Sequence, residues 1–132
     1  MIKKYPLNIY RGGALFVAID ETEESISTFL DGNEGHPIEP FPEHALGYAT
    51  AVADNHHVGA LVRFRNGDSY DPDAIAHECF HAVMIFCNYF ELSFTTNEHE
   101  HIAYLLEWCV QQTAKACLEF EKVLEESKEH EL

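Results

Sequence analysis

Hydrophobic and polar positions follow different patterns in the two halves of the chain. Through the first 70 residues, short apolar runs alternate with turn-forming residues, which is typical of β-strands. From residue 71 onward, apolar positions recur at helical spacing over two long segments. The pattern predicts a single α+β domain (residues 1–132). In it, a small N-terminal antiparallel or mixed β-sheet with loops (1–70) precedes two long helices.

Two hairpins are predicted within the first half. Residues 7–10 and Ala14–Ile19 flank a turn with two glycines, and Leu46–Ala53 and Val58–Arg65 flank a four-residue polar turn. Glu23–Leu30 is predicted to form a short helical turn, and a loop rich in proline and glycine follows it.

The first long helix is predicted over residues 71–91, because an aspartate suited to the N-cap precedes a proline at the first helical position. Asn97 and Glu100 have the spacing of a capping box, which predicts a second helix over 97–124. A charged tail (125–132) follows.

The composition limits the classes of partner. Acidic residues outnumber basic residues 23 to 8, which gives a formal net charge of −15. Such a charge opposes binding to nucleic acids and to anionic membranes. No apolar run approaches the ~18 residues of a membrane span, and no secretory signal is recognisable. We therefore expect a cytoplasmic protein that binds neither nucleic acid nor membrane. The sequence does not indicate an oligomeric state.

The four cysteines are expected to be reduced thiols in the core. They lie two per predicted helix, inside apolar runs, and none forms a C-x-x-C pair that would indicate a cysteine-rich zinc site. They are Cys79, Cys87, Cys109 and Cys117.

The first long helix carries the motif His-Glu-x-x-His at its N-terminal half. At 100° per residue, His77 and His81 lie about 40° apart around the helix and about 6 Å apart along it. Two imidazoles one turn apart can bind one metal ion. Glu78 points to the side of such an ion, where it could act on a water molecule as a general base without being a ligand. The spacing therefore predicts a divalent-metal site.

The rest of this helix is apolar nearly all round, so we expect it to be central in the fold. Burying two histidines and a glutamate without partners is costly, and a bound ion would be such a partner. The competing interpretation is a core helix whose histidines are satisfied by other side chains.

A catalytic zinc site needs a third protein ligand and an open fourth position. The extended pattern His-Glu-x-x-His-x-x-Gly-x-x-His is absent, so the third ligand must come from elsewhere. The start of the second helix offers four candidates, which are Glu98, His99, Glu100 and His101. For Glu100, a role in capping the helix is an alternative to metal binding.

The segment HECFHAVMIF, followed by EHIAYLLEW, resembles the gluzincins, especially the very small HExxH proteins encoded by phages and mobile elements. In gluzincins, a glutamate on the next helix, often in a Glu-x-x-Ala arrangement, completes the zinc site. The resemblance covers residues 71–108 and implies a minimal zincin-like metallopeptidase. It assigns His77, His81 and Glu100 as zinc ligands and Glu78 as general base.

Where many gluzincins have an aspartate four residues after the ligand glutamate, this chain has Tyr104. We expect Tyr104 either to pack or to hydrogen-bond a ligand or the oxyanion of the reaction. His36 and His44, in the proline-rich loop, could cover the site.

The expected partner is a peptide or protein substrate. The strand Val58–Arg65 precedes the active helix and is the candidate for holding an extended peptide by strand addition. Arg63 or Arg65 would then meet an acidic group of the substrate, unless this face of the strand is simply solvated.

Three functions fit these features. The first is a zinc-dependent peptidase, and the second is a non-catalytic, metal-stabilised binding protein on the zincin scaffold. The third is an acidic interaction protein, such as a DNA mimic. Its formal charge of −15 would suit binding to a basic partner.

Overall fold

A computed structural model describes residues 1–31 and 37–130 and shows the α+β fold that the hydrophobic pattern predicts. A four-stranded mixed sheet is followed by two long helices, and a short helix lies between its second and third strands. In chain order the elements are β1 (Ile2–Pro6), β2 (Gly13–Ile19), α1 (Glu23–Phe29), β3 (Gly47–Ala53), β4 (Val58–Phe64), α2 (Pro72–Tyr89) and α3 (Glu100–His130). None of the described helices has both the length and the apolar character needed to cross a membrane.

The sheet has the order β1-β2-β4-β3, so β2 and β4 are internal and β1 and β3 form its edges. β1 is antiparallel to β2, and β3 is antiparallel to β4, which confirms the second predicted hairpin. β2 and β4 are parallel, with Gly59 opposite Ala14. A Cβ atom on Gly59 would lie 1.8 Å from the carbonyl oxygen of Ala14, so this close approach of two backbones requires glycine.

Both faces of the sheet are covered, and a separate apolar cluster lies on each. All seven residues of β2 are buried for this reason. On one face, Leu15 and Val17 pack with the apolar residues of α2 and α3. On the other face, Phe16 packs with Ile26 of α1 and with Leu30 just after it. β2 is therefore apolar throughout, as is usual for a strand buried on both sides, and β4 is apolar except for Arg63.

The first hairpin differs from the prediction. We expected its first strand at residues 7–10, but β1 occupies Ile2–Pro6, and residues 7–12 form the connection. Gly12 adopts a φ of +88°, a conformation that glycine tolerates and that reverses the chain before β2. Because the reversal is completed only there, pairing starts at Pro6 and Ala14 and extends back towards the N-terminus.

α2 begins as predicted. The side chain of Asp71 accepts a hydrogen bond from the backbone N–H of Ala74 (2.8 Å), and Pro72 is the first helical residue. Aspartate at the N-cap satisfies an otherwise unpaired backbone donor, and proline at this position has no N–H to lose.

α3 starts later and ends later than predicted. It runs from Glu100 to His130, so most of the segment predicted as a charged tail is helical. Asn97 is not adjacent to the first helical residue. Instead, the hydroxyl of Thr95 accepts hydrogen bonds from the backbone N–H groups of Asn97 and Glu98, which closes a turn before the helix.

Candidate metal centre

The two motif histidines lie one turn apart on α2 with their rings facing each other. The Nε2 atoms of His77 and His81 are 3.3 Å apart. The rings meet edge to face, with centroids 4.9 Å apart and an angle of 73° between their planes. A hydrogen bond from one imidazole to the other would also fit this distance.

The separation of the two nitrogens suits a zinc ion. Zinc–nitrogen bonds of about 2.05 Å at a tetrahedral angle place two ligand nitrogens about 3.3 Å apart. The observed distance between the two Nε2 atoms is 3.3 Å. The distance between the two Nε2 atoms is therefore compatible with a shared zinc ion.

Glu78 lies beneath the histidine pair with its carboxylate almost fully buried. Its Oε1 atom is 3.6 Å from Nε2 of His77, and one ligand atom from each of Glu78, His77 and His81 lies within 4.8 Å of the others. Burial raises the pKa of Glu78, whereas His77 and then His81 act to lower it. Within residues 1–31 and 37–130, Oε2 of Glu78 is buried and has no hydrogen-bond partner. An acceptor oxygen left unpaired inside the protein is costly, and a cation or a water at the site would satisfy it.

The histidines are exposed, whereas we expected this helix to be central and its histidines to be buried. The side chain of His77 is 70% exposed. α2 turns Cys79, Ala82 and Phe86 to the sheet and α3, and nothing else covers its opposite face among the described residues. With a single layer of helices on this side of the sheet and none above it, even a largely apolar helix keeps one face in solvent.

A shallow groove of about 400 Å³ runs beside the histidines, between α2 and the edge strand β3. His81, Met84 and Asn88 line it from the helix, and Ala49 and Ala51 line it from the strand. The small side chains of the two alanines leave room for a ligand between the strand and the helix. One of the two motif histidines, His81, therefore borders a groove at a sheet edge.

The structure does not bring Glu100 to the histidines. Glu100 is exposed and stands about 170° around α3 from the centre of the buried face of that helix. Contact with α2 at the level of the motif is made by Thr113, whose hydroxyl accepts a hydrogen bond from Cys79. Thr113 lies about 20 Å further along the helix than Glu100. The ligand set implied by the gluzincin resemblance is therefore not assembled within the chain.

The other three candidates for the third ligand are also elsewhere, and Glu98 is exposed in the turn before α3, outside the cluster of the motif. Nδ1 of His99 is 3.1 Å from the carbonyl oxygen of Thr95, and Nε2 of His101 is 2.9 Å from that of Ser93. Both imidazoles thus bond to the backbone of the turn before α3. In the described part of the chain, the only cluster of histidine, cysteine and acidic side chains with metal-ligand spacing is that of His77, Glu78 and His81.

Tyr104 also lies away from the motif. Its side chain is 63% exposed and lines a cavity with Tyr10 and Trp108, which does not include the motif histidines. Among the described residues, Tyr104 has no contact through which it could bond a metal ligand.

The prediction that β4 holds an extended substrate by strand addition is wrong, because β4 is internal and pairs with β2 and β3 on its two sides. Arg63 is 2% exposed and lies on the other face of the sheet from α2. There it donates hydrogen bonds to the carbonyl oxygens of Glu21 and Glu39 and stacks over Phe41, so it fixes the loop before β3.

The remaining candidates do not approach the centre. Arg65 stacks over Phe41 and donates a hydrogen bond to the carbonyl oxygen of Ala45. His44 is 90% exposed and lies near Glu43. His36 lies outside the described residues.

The edge strand β3 is the part of the site that sequence reasoning missed. The hydrophobic pattern locates β3 and β4 equally well, but nothing in it tells which is the edge. The short side chains of Ala49 and Ala51 are the only local signal, since bulky residues there would fill the groove beside His81.

Comparison with known proteins identifies no similar protein or structure. The chain matches no protein-family model, no curated protein and no solved structure. The gluzincin resemblance therefore rests only on the segments HECFHAVMIF and EHIAYLLEW of this chain.

Proposed function

We propose that this protein is a zinc-dependent peptidase in which His77 and His81 hold the ion and Glu78 is the general base. The observation that carries the proposal is the pair of Nε2 atoms 3.3 Å apart, with a buried carboxylate 3.6 Å away. A site that only binds metal for stability has no need of an unpaired carboxylate oxygen at that place. A cytoplasmic location belongs to the same proposal and accords with four free thiols.

Bound zinc would supply Lewis-acid chemistry, polarising a peptide carbonyl and making a water molecule more acidic. The chain's own contribution is proton transfer by Glu78. Its Oε1 atom, on the side of His77, accepts the proton of the attacking water and then passes it to the departing amine. Burial restricts the carboxylate to this position, so the base needs no reorientation during the reaction.

An extended substrate fits at β3 rather than at β4. β3 is an edge strand and borders the groove onto which His81 opens. A peptide that added to this edge would lie with its backbone along α2 and would be held by main-chain hydrogen bonds.

Peptide hydrolysis by tag-free, zinc-loaded protein tests the proposal, with a mixture of unstructured peptides as substrate and mass spectrometry to identify products. We expect wild type to cleave and Glu78→Gln to lose about a thousandfold in rate while it retains zinc. Asp73→Asn, an exposed acid on the same helix, is the matched control and should cleave normally. Absence of cleavage at full zinc occupancy would refute the peptidase.

A specific observation favours a second candidate, a non-catalytic metal-stabilised binding protein. Only two nitrogen ligands and Glu78 converge, and α3 supplies no third ligand of the zincin type. In that case zinc would raise the melting temperature of wild type and of Glu78→Gln equally, and neither would hydrolyse peptides.

A further inference from the structure

A second cavity lies apart from the candidate metal centre, between the β1–β2 connection and the first half of α3. Its volume is about 510 Å³, within the range of sites that hold small ligands. Its lining is mainly apolar with a few polar side chains. Among the lining residues are Asn8, Tyr10, Tyr104, Glu107, Trp108 and Gln111.

Three aromatic rings contribute to this cavity. Tyr104 and Trp108 stand one turn apart on the same side of α3. Tyr10 comes from the opposite wall and is held by stacking on Phe90, with ring centroids 5.3 Å apart and planes 24° apart. A ligand would therefore meet aromatic rings from two elements, and the ring of Tyr10 is fixed by its stacking on Phe90.

The charge of the lining is negative. Glu107 is its only carboxylate, and the lining includes no lysine or arginine. Within residues 1–31 and 37–130, the Glu107 carboxylate has no ion-pair or hydrogen-bond partner. The chain as a whole carries a formal charge of −15, which raises the local concentration of cations and repels anions.

We infer that this cavity binds a small organic cation of the alkylammonium class. The faces of Tyr10, Tyr104 and Trp108 attract a cation through their quadrupoles, and Glu107 balances its charge. Tyr104, which the sequence associated with catalysis, belongs to this site instead. The inference does not depend on the proposed peptidase activity, because no residue of the lining belongs to the metal centre.

A neutral sugar is the competing ligand, since aromatic faces flanked by the amides of Asn8 and Gln111 would also suit a polyol. The negative charge decides between them. A sugar could donate hydroxyl hydrogen bonds to the Glu107 carboxylate, but only an ammonium ion also has its charge balanced by that carboxylate and by the negative charge of the chain.

Trp108 is the only tryptophan of the chain, so its indole N–H gives one signal that reports on the cavity. The test is a titration of the metal-free, full-length protein at low ionic strength, followed by nuclear magnetic resonance. The probes are choline, its neutral isostere 3,3-dimethylbutanol, and glucose. We expect choline to shift the indole signal saturably and to bind about tenfold more tightly than the isostere.

Two variants and one control test whether choline binds in this cavity. Glu107→Gln should weaken choline binding severalfold and leave 3,3-dimethylbutanol unaffected, and Tyr104→Ala should weaken choline binding while the reporter remains. Glu125→Gln removes the same charge from the exposed end of α3 and should leave choline binding unchanged.

Three results would overturn the inference. Equal affinity for choline and its isostere would show an apolar cavity without charge selection. A saturable shift with glucose but not with choline would assign the cavity to sugars. No saturable shift with choline would show that the cavity is not an ammonium site.

Discussion

The thiol of Cys79 on α2 donates a hydrogen bond to the hydroxyl of Thr113 on α3, with 3.3 Å between sulfur and oxygen. Both residues are fully buried. The bond joins the two helices at the level of the motif and on the far side of α2 from His77 and His81. This bond explains why α3 does not supply a ligand at the motif: the face of α3 that contacts α2 meets the side of α2 opposite His77 and His81.

The first prediction concerns metal ligands. We expect wild type, purified without a tag, to bind zinc at a stoichiometry of about one per chain, and His81→Ala to abolish binding. Glu100→Ala should bind zinc as wild type does, because Glu100 points away from α2. Isothermal titration calorimetry measures all three, with Glu98→Ala as the matched control. Lost affinity in Glu100→Ala alone would show that α3 does reach the ion.

The second prediction concerns the thiols. Burial raises the pKa of Cys79 to about 11 and that of Cys117 to about 12, and it raises the pKa of Cys109 as well. Thiolates are the reactive species, so these three should be inert in native protein at pH 8. Cys87 is only partly buried and should react first with a disulfide reagent.

Absorbance of the released thiolate follows this reaction. Native wild type should release one equivalent quickly, Cys87→Ser none, and both proteins should react fully in urea. Rapid reaction of native Cys87→Ser would mean that the core opens far more readily than its packing indicates.

The third prediction compares two glycines. Gly59→Ala should cost about 3 kcal/mol or more, because the new Cβ would collide with the backbone of Ala14 and a backbone cannot rotate aside. The new Cβ atom of Gly12→Ala would have no atom within 4 Å, so the only cost is the backbone strain of an alanine at positive φ. Its cost should be about 1 kcal/mol. Urea denaturation gives both values, and a mild effect of Gly59→Ala would contradict the close parallel pairing of β2 and β4.

The fourth prediction concerns acid stability. Nζ of Lys4 on β1 lies 2.5 Å from Oδ2 of Asp54, in the turn between β3 and β4. Burial alone would raise the pKa of Asp54, but hydrogen bonds from Lys4 and from the backbone N–H groups of His56 and His57 lower it below its usual value.

A carboxyl whose pKa is lowered in the folded state stabilises the protein above its unfolded pKa of about 3.9. This stabilisation disappears as the pH falls through the lower, folded value. Asp54→Asn should therefore cost about 1–2 kcal/mol at pH 7 and nothing below both pKa values. Urea denaturation at pH 7 and at a pH below both pKa values measures this change in the free energy of unfolding. A double-mutant cycle with Lys4→Met and Asp54→Asn isolates the interaction energy between the two side chains. A constant cost at both pH values would exclude the ion pair as its cause.

Local features of the chain could be read from the sequence. The start of α2 follows from an N-cap aspartate and a proline, and the β3–β4 hairpin follows from two apolar runs around a polar turn. The pairing of His77 with His81 is also local, since four residues of one helix fix both side chains relative to each other. Such features depend on neighbours in the chain, and their geometry does not change with the rest of the fold.

Relations between distant segments were decided only by the tertiary structure. Which strand is an edge, and which side of α2 faces α3, depend on how sheet and helices pack as wholes. The sequence pattern offers Glu100 as a ligand because it gives the residue type and the helix, but not which side of α2 that helix meets. The sequence by itself determined the elements and the histidine pair. Packing decided that this pair lies at the surface beside β3, because a helix with apolar residues on several sides can bury only those that another layer covers.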